Sequence, residues 1–331
     1  MEQIDVVQIG LGPLGRTITQ FISSRKGIRV VGAVDVEPSI QGQDLGTLCG
    51  IGPLNIKIKP SLGVCLEEVK PQAAILTTVS SMKQITAQVE EIVEKGLPVV
   101  STCEELSYPW DTSATLANRI DRAAKSTNVA VLGTGVNPGF LMDALPTFLT
   151  SVCQRVETVR VTRIQNATFR RVPFQIKIGA GLTLEQFETK KSDGTLRHVG
   201  LTESIQLIAN AIGWKLTKTD DIISPVIATR EIKTDTLIIP AGYAAGVQQI
   251  GRGWLNDKEK ITLFFKAAVG EPESSDTVEI QGEPNITSTI PGGVNGDVAT
   301  CAITLNALKQ ILKAPPGLRT MVDMPMVSFF E

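Results

Sequence analysis

The apolar residues of this chain follow two rhythms, and the change between them comes near residue 150. In the first part, short apolar runs alternate with stretches that repeat an apolar residue every three or four positions. Val6, Val7 and Ile9 form the first run, 16–24 reads as a helix, and the run 29–35 ends on Asp35. An irregular stretch with Gly42, Gly46, Gly50 and Gly52 follows. The segment 73–79 is one apolar run, the pattern of a strand covered on both faces. Ser81 caps a helix through Lys95 that places Ile85, Val89, Ile92 and Val93 on one face and stops at Gly96. The strands 97–101 and 129–133 flank a helix over about 112–125. Strands alternating with helices predict an α/β fold, a doubly wound parallel sheet.

From Val152 the segments lengthen. Val156, Val159, Val161 and Ile164 begin a strand, and others are expected over 223–232, 261–269 and 277–281, with helices over 183–190 and 201–214. This is an α+β pattern with a mixed open sheet. A last amphipathic helix, 298–313, is expected to pack back on the first domain, and the tail from Pro315-Pro316-Gly317 reads as extended. The expected domains are 1–150, an inserted 151–296, and a returning 297–331. Their join is expected to form the cleft.

Between the first run and the first helix stands Gly10-x-Gly12-x-x-Gly15. In a dinucleotide-binding βαβ unit the first glycine makes the tight turn. The second lets backbone approach a pyrophosphate, and the third lets helix and strand pack closely. Pro13 and Leu14 lead into the helix whose N-terminal amides hold the phosphates. Asp35, 20 residues beyond Gly15, is placed to accept from the adenosine ribose. The alternative is a glycine turn that binds nothing. The carboxylate argues for NAD, because it repels a 2′-phosphate. Arg16, either solvated or within reach of a phosphate, keeps NADP possible.

Composition narrows the partners. With 32 basic and 34 acidic residues and no long charge run, neither nucleic acid nor an anionic membrane is an expected partner. No apolar run reaches the 18 or so residues of a membrane span. The chain enters its first strand without a basic-plus-apolar leader, so a cytoplasmic location is expected. Five dispersed cysteines, no CxxC and a single histidine, His198, give no expected metal site.

Ligands of such a sheet bind beyond the C-terminal ends of its strands. Three loops lie there: Thr77-Thr78-Val-Ser-Ser81, Ser101-Thr102-Cys-Glu104-Glu105, and Gly133-Thr-Gly-Val-Asn137-Pro138-Gly139. Two adjacent carboxylates just past a core strand are costly unless paired, solvated or functional. Neighbouring residues cannot point the same way, so one serves the chemistry and the other the structure. An alcohol dehydrogenase with Tyr and Lys four apart is excluded, since Thr112 and Val247 occupy the positions after Tyr108 and Tyr243. A hydroxy-acid or carbonyl reductase would need His198 as base. A glutamate base suits amine oxidation: it takes a proton from the ammonium, then stabilises the iminium and activates water.

The motifs Glu104-Glu-Leu-Ser-Tyr-Pro, Gly133-Thr-Gly-Val-Asn-Pro-Gly-Phe140, Ile178-Gly-Ala-Gly181, His198-Val-Gly-Leu-Thr-Glu-Ser204, Gly292-Gly-Val-Asn-Gly-Asp-Val-Ala-Thr300 and Pro316-Gly-Leu-Arg-Thr-Met-Val-Asp323 run through nearly the whole chain. In these the chain resembles the 2,4-diaminopentanoate dehydrogenase family, which includes the native amine dehydrogenases and is distantly related to dihydrodipicolinate reductase. The resemblance implies a Rossmann domain, an inserted mixed-sheet domain that also serves dimerisation, and a homodimer. It implies a small amine or carbonyl substrate with ammonia. The paired-histidine segment of dihydrodipicolinate reductase is absent. The resemblance maps the catalytic glutamate onto Glu104 or Glu105, with Glu104 preferred, and sets Asn137 and Pro138 beside the nicotinamide. His198 matches the substrate-domain histidine. His198, Arg163 and Asn166 are candidates to hold a substrate carboxylate, the latter two otherwise being a strand surface pair. Phe140, Phe169 and Phe174 either shape an apolar pocket or, more simply, pack in the core. The alternatives are 2,4-diaminopentanoate dehydrogenase itself, the His198 reductase, and an NAD-binding sensor without turnover.

Overall fold

The computed structural model describes residues 3–170, 172–196, 199–235 and 237–331, apart from the Pro173 side chain. Among the described residues the chain forms two compact units, 1–140 with 295–331, and 141–294.

The first unit carries β1 (Ile4–Ile9), α1 (Pro13–Ser23), β2 (Ile28–Val34), α2 (Leu45–Leu48), β3 (Ile58–Lys59), α3 (Leu62–Leu66), β4 (Ala73–Leu76), α4 (Met82–Glu94), β5 (Val99–Ser101), α5 (Ala114–Ser126) and β6 (Ala130–Gly133). The strands are the short apolar runs of the sequence, and β4, β5 and β6 are buried throughout. A sheet covered on both faces demands this.

In the second unit α6 (Ala144–Leu149) leads into β7 (Arg155–Asn166), then α7 (Val172–Lys177), α8 (Leu184–Ser192) and α9 (Leu201–Ala211). The strands β8 (Lys218–Ile227), β9 (Ile232–Lys233), β10 (Ile238–Ile239), β11 (Ala244–Leu255), β12 (Lys258–Ala268), β13 (Ser275–Glu283) and β14 (Ile286–Pro291) follow. The chain then returns to the first unit with α10 (Gly296–Ile311) and β15 (Gly317–Arg319).

The sheet of the first unit has the order β15-β6-β5-β4-β1-β2-β3, with all neighbours parallel. The order reverses at β1, so the turn after β1 sits at the switch point where ligands bind. Cys301, Leu305, Leu308 and Ile311 of α10 join the apolar cluster that Val6, Ile18 and Ile75 form around α1. The C-terminal helix therefore packs back on this unit. The tail that reads as extended is in part a strand: β15 pairs with β6 and closes the sheet edge.

The second sheet runs β14-β13-β7-β12-β11-β8 and is mixed, with β7 and β12 parallel and the other neighbours antiparallel. The sequence pattern misses β11. Gly246, Gly251 and Gly253 dilute its apolar signal, yet they are there for packing: a Cβ at Gly251 would stand 2.8 Å from Ile205 and 2.9 Å from Leu201 of α9. Glycine lets the helix lie close on the sheet. Among the described residues no helix is long and apolar enough to cross a membrane.

Candidate active site

The glycine turn is built from three different constraints. Gly10 has φ +89°, and its amide donates to the Val34 carbonyl at 2.9 Å. A Cβ at Gly15 would stand 2.0 Å from the Gly10 carbonyl oxygen, so no larger residue fits where α1 meets the turn. At Gly12 a Cβ would meet nothing within 4 Å. Backbone is thus exposed to an open cleft at the one position of the three where a pyrophosphate needs close approach.

Pro13 opens α1 without an N–H, and among the described residues the amides of Gly12, Leu14 and Gly15 have no hydrogen-bond acceptor. Free amides at the positive end of a helix bind anions. Beneath them lies a brace that sequence reading missed. The buried Gln8 donates to the Gly10 carbonyl at 3.0 Å and to the Thr77 hydroxyl at 2.9 Å, and Thr77 donates to Gly10 at 2.8 Å. A polar residue inside an otherwise buried β1 was the available signal. Thr77 therefore shapes the turn through its hydroxyl.

Asp35 closes the other side. Its Oδ2 accepts from the Leu11 amide at 2.6 Å and its Oδ1 from the Glu37 amide at 2.9 Å. Each oxygen keeps a lone pair for a ribose hydroxyl. Gly10, Gly12, Asp35, Thr77 and Thr78 line one cleft of about 520 Å³. No lysine or arginine is among its lining residues. Arg16 is turned to its own loop, where Nε donates to the Leu11 carbonyl at 2.8 Å.

The strand order sets the ends of β4, β5 and β6 in sequence beside that of β1. Backbone and hydroxyl hydrogen bonds tie these loops together. Thr102 donates its amide to Leu76 at 3.1 Å, Thr134 donates its amide to Ser101 at 2.8 Å, and the Ser101 hydroxyl donates to Leu76 at 3.0 Å. The chain then enters a 3-10 turn, Glu104–Ser107, which separates the two carboxylates.

Glu105 accepts from the Met82 amide at 2.7 Å, the first residue of α4. The expected cap, Ser81, makes no capping hydrogen bond with its side chain. A carboxylate is the stronger acceptor at a helix N-terminus, where the dipole adds to the hydrogen bond. Glu104 is half-buried, and among the described residues its carboxylate has no hydrogen-bond or ion-pair partner. The third loop is held on α10, where the Thr300 hydroxyl accepts from the Val136 amide at 3.2 Å, just before the cis Asn137–Pro138 peptide. Burial pushes the Cys103 thiol up to about 12, with Glu104 and Glu105 adding to it, and burial likewise pushes Tyr108 up to about 12. Neither exchanges protons near neutrality.

The candidates of the second unit are dispersed. Arg163 and Asn166 do not form a surface pair, because strand periodicity sets positions 163 and 166 on opposite faces of β7. Arg163 is buried and ion-paired with Asp276 at 3.3 Å, the side chains being 4% and 5% exposed. The pair grips both backbone groups of one residue: Arg163 donates to the Val294 carbonyl at 3.0 Å, and Asp276 accepts from the Val294 amide at 2.7 Å. Burial lowers the Arg163 pKa and raises that of Asp276, each against its partner's pull. Asn166 closes a local turn by accepting from the Thr168 amide at 2.9 Å. Phe169 is no core residue, being 90% exposed, while Phe174 lies under the Arg170 guanidinium, 4.2 Å from its ring centre. Phe140 is partly exposed at the end of the third loop. His198 lies outside the described residues.

Two family models match the chain. Residues 140–330 match the family model of the 2,4-diaminopentanoate dehydrogenase C-terminal domain, and residues 4–106 match that of the dihydrodipicolinate reductase N-terminus. The chain is 33% identical to a 2,4-diaminopentanoate dehydrogenase of Acetoanaerobium sticklandii, covering 98% of this chain and 94% of the relative. It is 19% identical to an amine dehydrogenase of Streptomyces virginiae over 98% and 96% of the two chains. The solved structure of an amine dehydrogenase from Mycobacterium smegmatis superposes with a TM-score of 0.84 at 24% identity, covering 99% of this chain and 97% of the other.

Proposed function

This chain belongs to the 2,4-diaminopentanoate dehydrogenase family, and on that footing we propose that it is an NAD-linked amine dehydrogenase with Glu104 as its acid–base group. The reaction converts a primary ammonium, NAD⁺ and water into a ketone or aldehyde, ammonium, NADH and a proton, and runs in either direction. The residues that fit the dinucleotide are the free amides of Gly12, Leu14 and Gly15 for its phosphates and Asp35 for its ribose. Thr78, Thr102, Asn137 and Pro138 stand on the loops proposed to flank it. Nicotinamide supplies the hydride acceptor when bound.

The observation that carries the proposal is the division of labour within the acidic pair. Glu105 holds the start of α4, and the Glu104 carboxylate next to it has no protein partner among the described residues. A carboxylate without a partner takes a proton from the substrate ammonium and then favours the cationic carbon–nitrogen group that follows. NAD is the proposed cofactor over NADP, since Asp35 opposes a 2′-phosphate and the cleft lining offers no lysine or arginine.

The full-length 33% identity favours a second reading, a 2,4-diamino acid as the substrate itself. Arg163 is not proposed to hold its carboxylate, because Asp276 already neutralises the guanidinium. A homodimer is proposed on the face of the second sheet opposite α9. There Ile222, Ile250 and Phe264 stand in register, flanked by the oppositely charged pair Asp220 and Arg252.

The test is oxidation of NADH with ketones, aldehydes and 2-amino-4-oxopentanoate, each with and without ammonium. Ammonium-dependent turnover supports the proposal. Turnover without ammonium replaces it by carbonyl reduction, and NADH binding without any turnover replaces it by a sensor.

A further inference from the structure

The dinucleotide cleft extends well beyond the phosphate turn and the ribose acid. Its lining also includes Pro60 and Leu62, which flank the start of α3, and Val36, Val79 and Ile92. Leu62, Ile92, Val34 and Ile9 belong to one apolar cluster, with Val79 packed against it, so these walls are fixed by the core. Apolar walls suit the faces of a purine. Its edge must meet polar groups or lose the hydrogen bonds it makes in water.

Three further polar side chains line the cleft: Ser61, Gln88 and Glu91. Two are engaged. Gln88 accepts from the Thr78 hydroxyl at 2.7 Å and donates to the Gln84 carbonyl at 3.3 Å. Ser61 accepts from the Val64 amide at 3.4 Å as the cap of α3, which leaves its own proton as a donor. The Glu91 carboxylate, on the same face of α4 as Gln88 one turn earlier, has no hydrogen-bond or ion-pair partner among the described residues. It is an acceptor only.

We infer that Glu91 reads the exocyclic amino group of the dinucleotide's purine, so that the cleft selects a 6-aminopurine over a 6-oxopurine. The inference rests on the dinucleotide reading above. A 6-amino group presents N–H donors to the carboxylate. A 6-oxo group presents an acceptor to an acceptor, which forfeits the hydrogen bond and adds repulsion. Glu91 is a specificity residue of the cleft and lies outside the acid–base machinery.

The experiment is a fluorescence titration of the whole protein, without amine substrate, using NADH and its reduced hypoxanthine (deamino) analogue. The parent is expected to bind the analogue about tenfold more weakly, about 1.4 kcal/mol. Glu91→Gln presents either an acceptor or a donor and is expected to bring the ratio within about twofold. Glu91 is exposed, so the variant's melting temperature stays that of the parent. Equal binding of the two dinucleotides by the parent overturns the inference, as does a tenfold preference that survives in Glu91→Gln. NADH binding with a flat ratio sinks the inference alone, whereas failure of both dinucleotides to bind sinks the dinucleotide reading with it.

Discussion

The two units hold their polar groups in opposite ways. In the first unit, carboxylates and free amides stand at loop ends: backbone amides hold Asp35 and Glu105, and the side chains of Gln8 and Thr77 hold the turn. In the second unit two buried charges, Arg163 and Asp276, are matched to each other and to the backbone of one residue, Val294. The first arrangement keeps acceptor and donor capacity facing a cleft. The second sets charge against charge, Arg163 on Asp276 at 3.3 Å. Charge near a candidate site thus indicates binding only where no opposite charge neutralises it: among the described residues Asp35 has no ion-pair partner, whereas Arg163 has Asp276.

The largest effect should come from breaking the matched pair. Arg163→Met leaves Asp276 buried and uncompensated, and a loss of about 3–5 kcal/mol is expected in urea unfolding. Replacing both residues, Arg163→Met with Asp276→Leu, should recover most of it. A single variant as stable as the parent would remove the contrast between the units.

Next is the cofactor side. Asp35→Ala removes the ribose acceptor and the opposition to a 2′-phosphate. The preference for NAD over NADP in binding is expected to fall about tenfold, or about 1.4 kcal/mol. A parent that already binds NADP tenfold better would refute the role given to Asp35.

The smallest effect belongs to the cap. Glu105→Ala leaves the Met82 amide without its acceptor and is expected to cost about 1 kcal/mol of stability, the usual value of a helix cap. Turnover should stay within a few-fold. A turnover loss as large as that predicted for Glu104 would exchange the roles of the two glutamates.

Much of the first unit was legible because its signals are local. Gly10, Gly12 and Gly15 act within six residues, and a strand buried on both faces announces itself as an apolar run. What escaped depends on contacts between distant segments. The Glu105–Met82 cap spans 23 residues, and the brace from Gln8 to Thr77 spans 69. β11 escaped because its glycines answer to α9, and β15 because three residues gain strand character only by pairing with β6. Arg163 looked like a surface cation because its partner, Asp276, arrives on a strand that only the sheet order brings beside β7.

The assignment of Glu104 as the acid–base group, with Glu105 as its structural neighbour, carries the proposed chemistry. It is tested most directly by amine-dependent NAD⁺ reduction in Glu104→Gln, with NADH affinity measured on the same preparation. The expected result is a 10²–10⁴-fold loss of turnover, the usual range for general acid–base catalysis, with NADH affinity unchanged. Turnover equal to the parent's would contradict the claim.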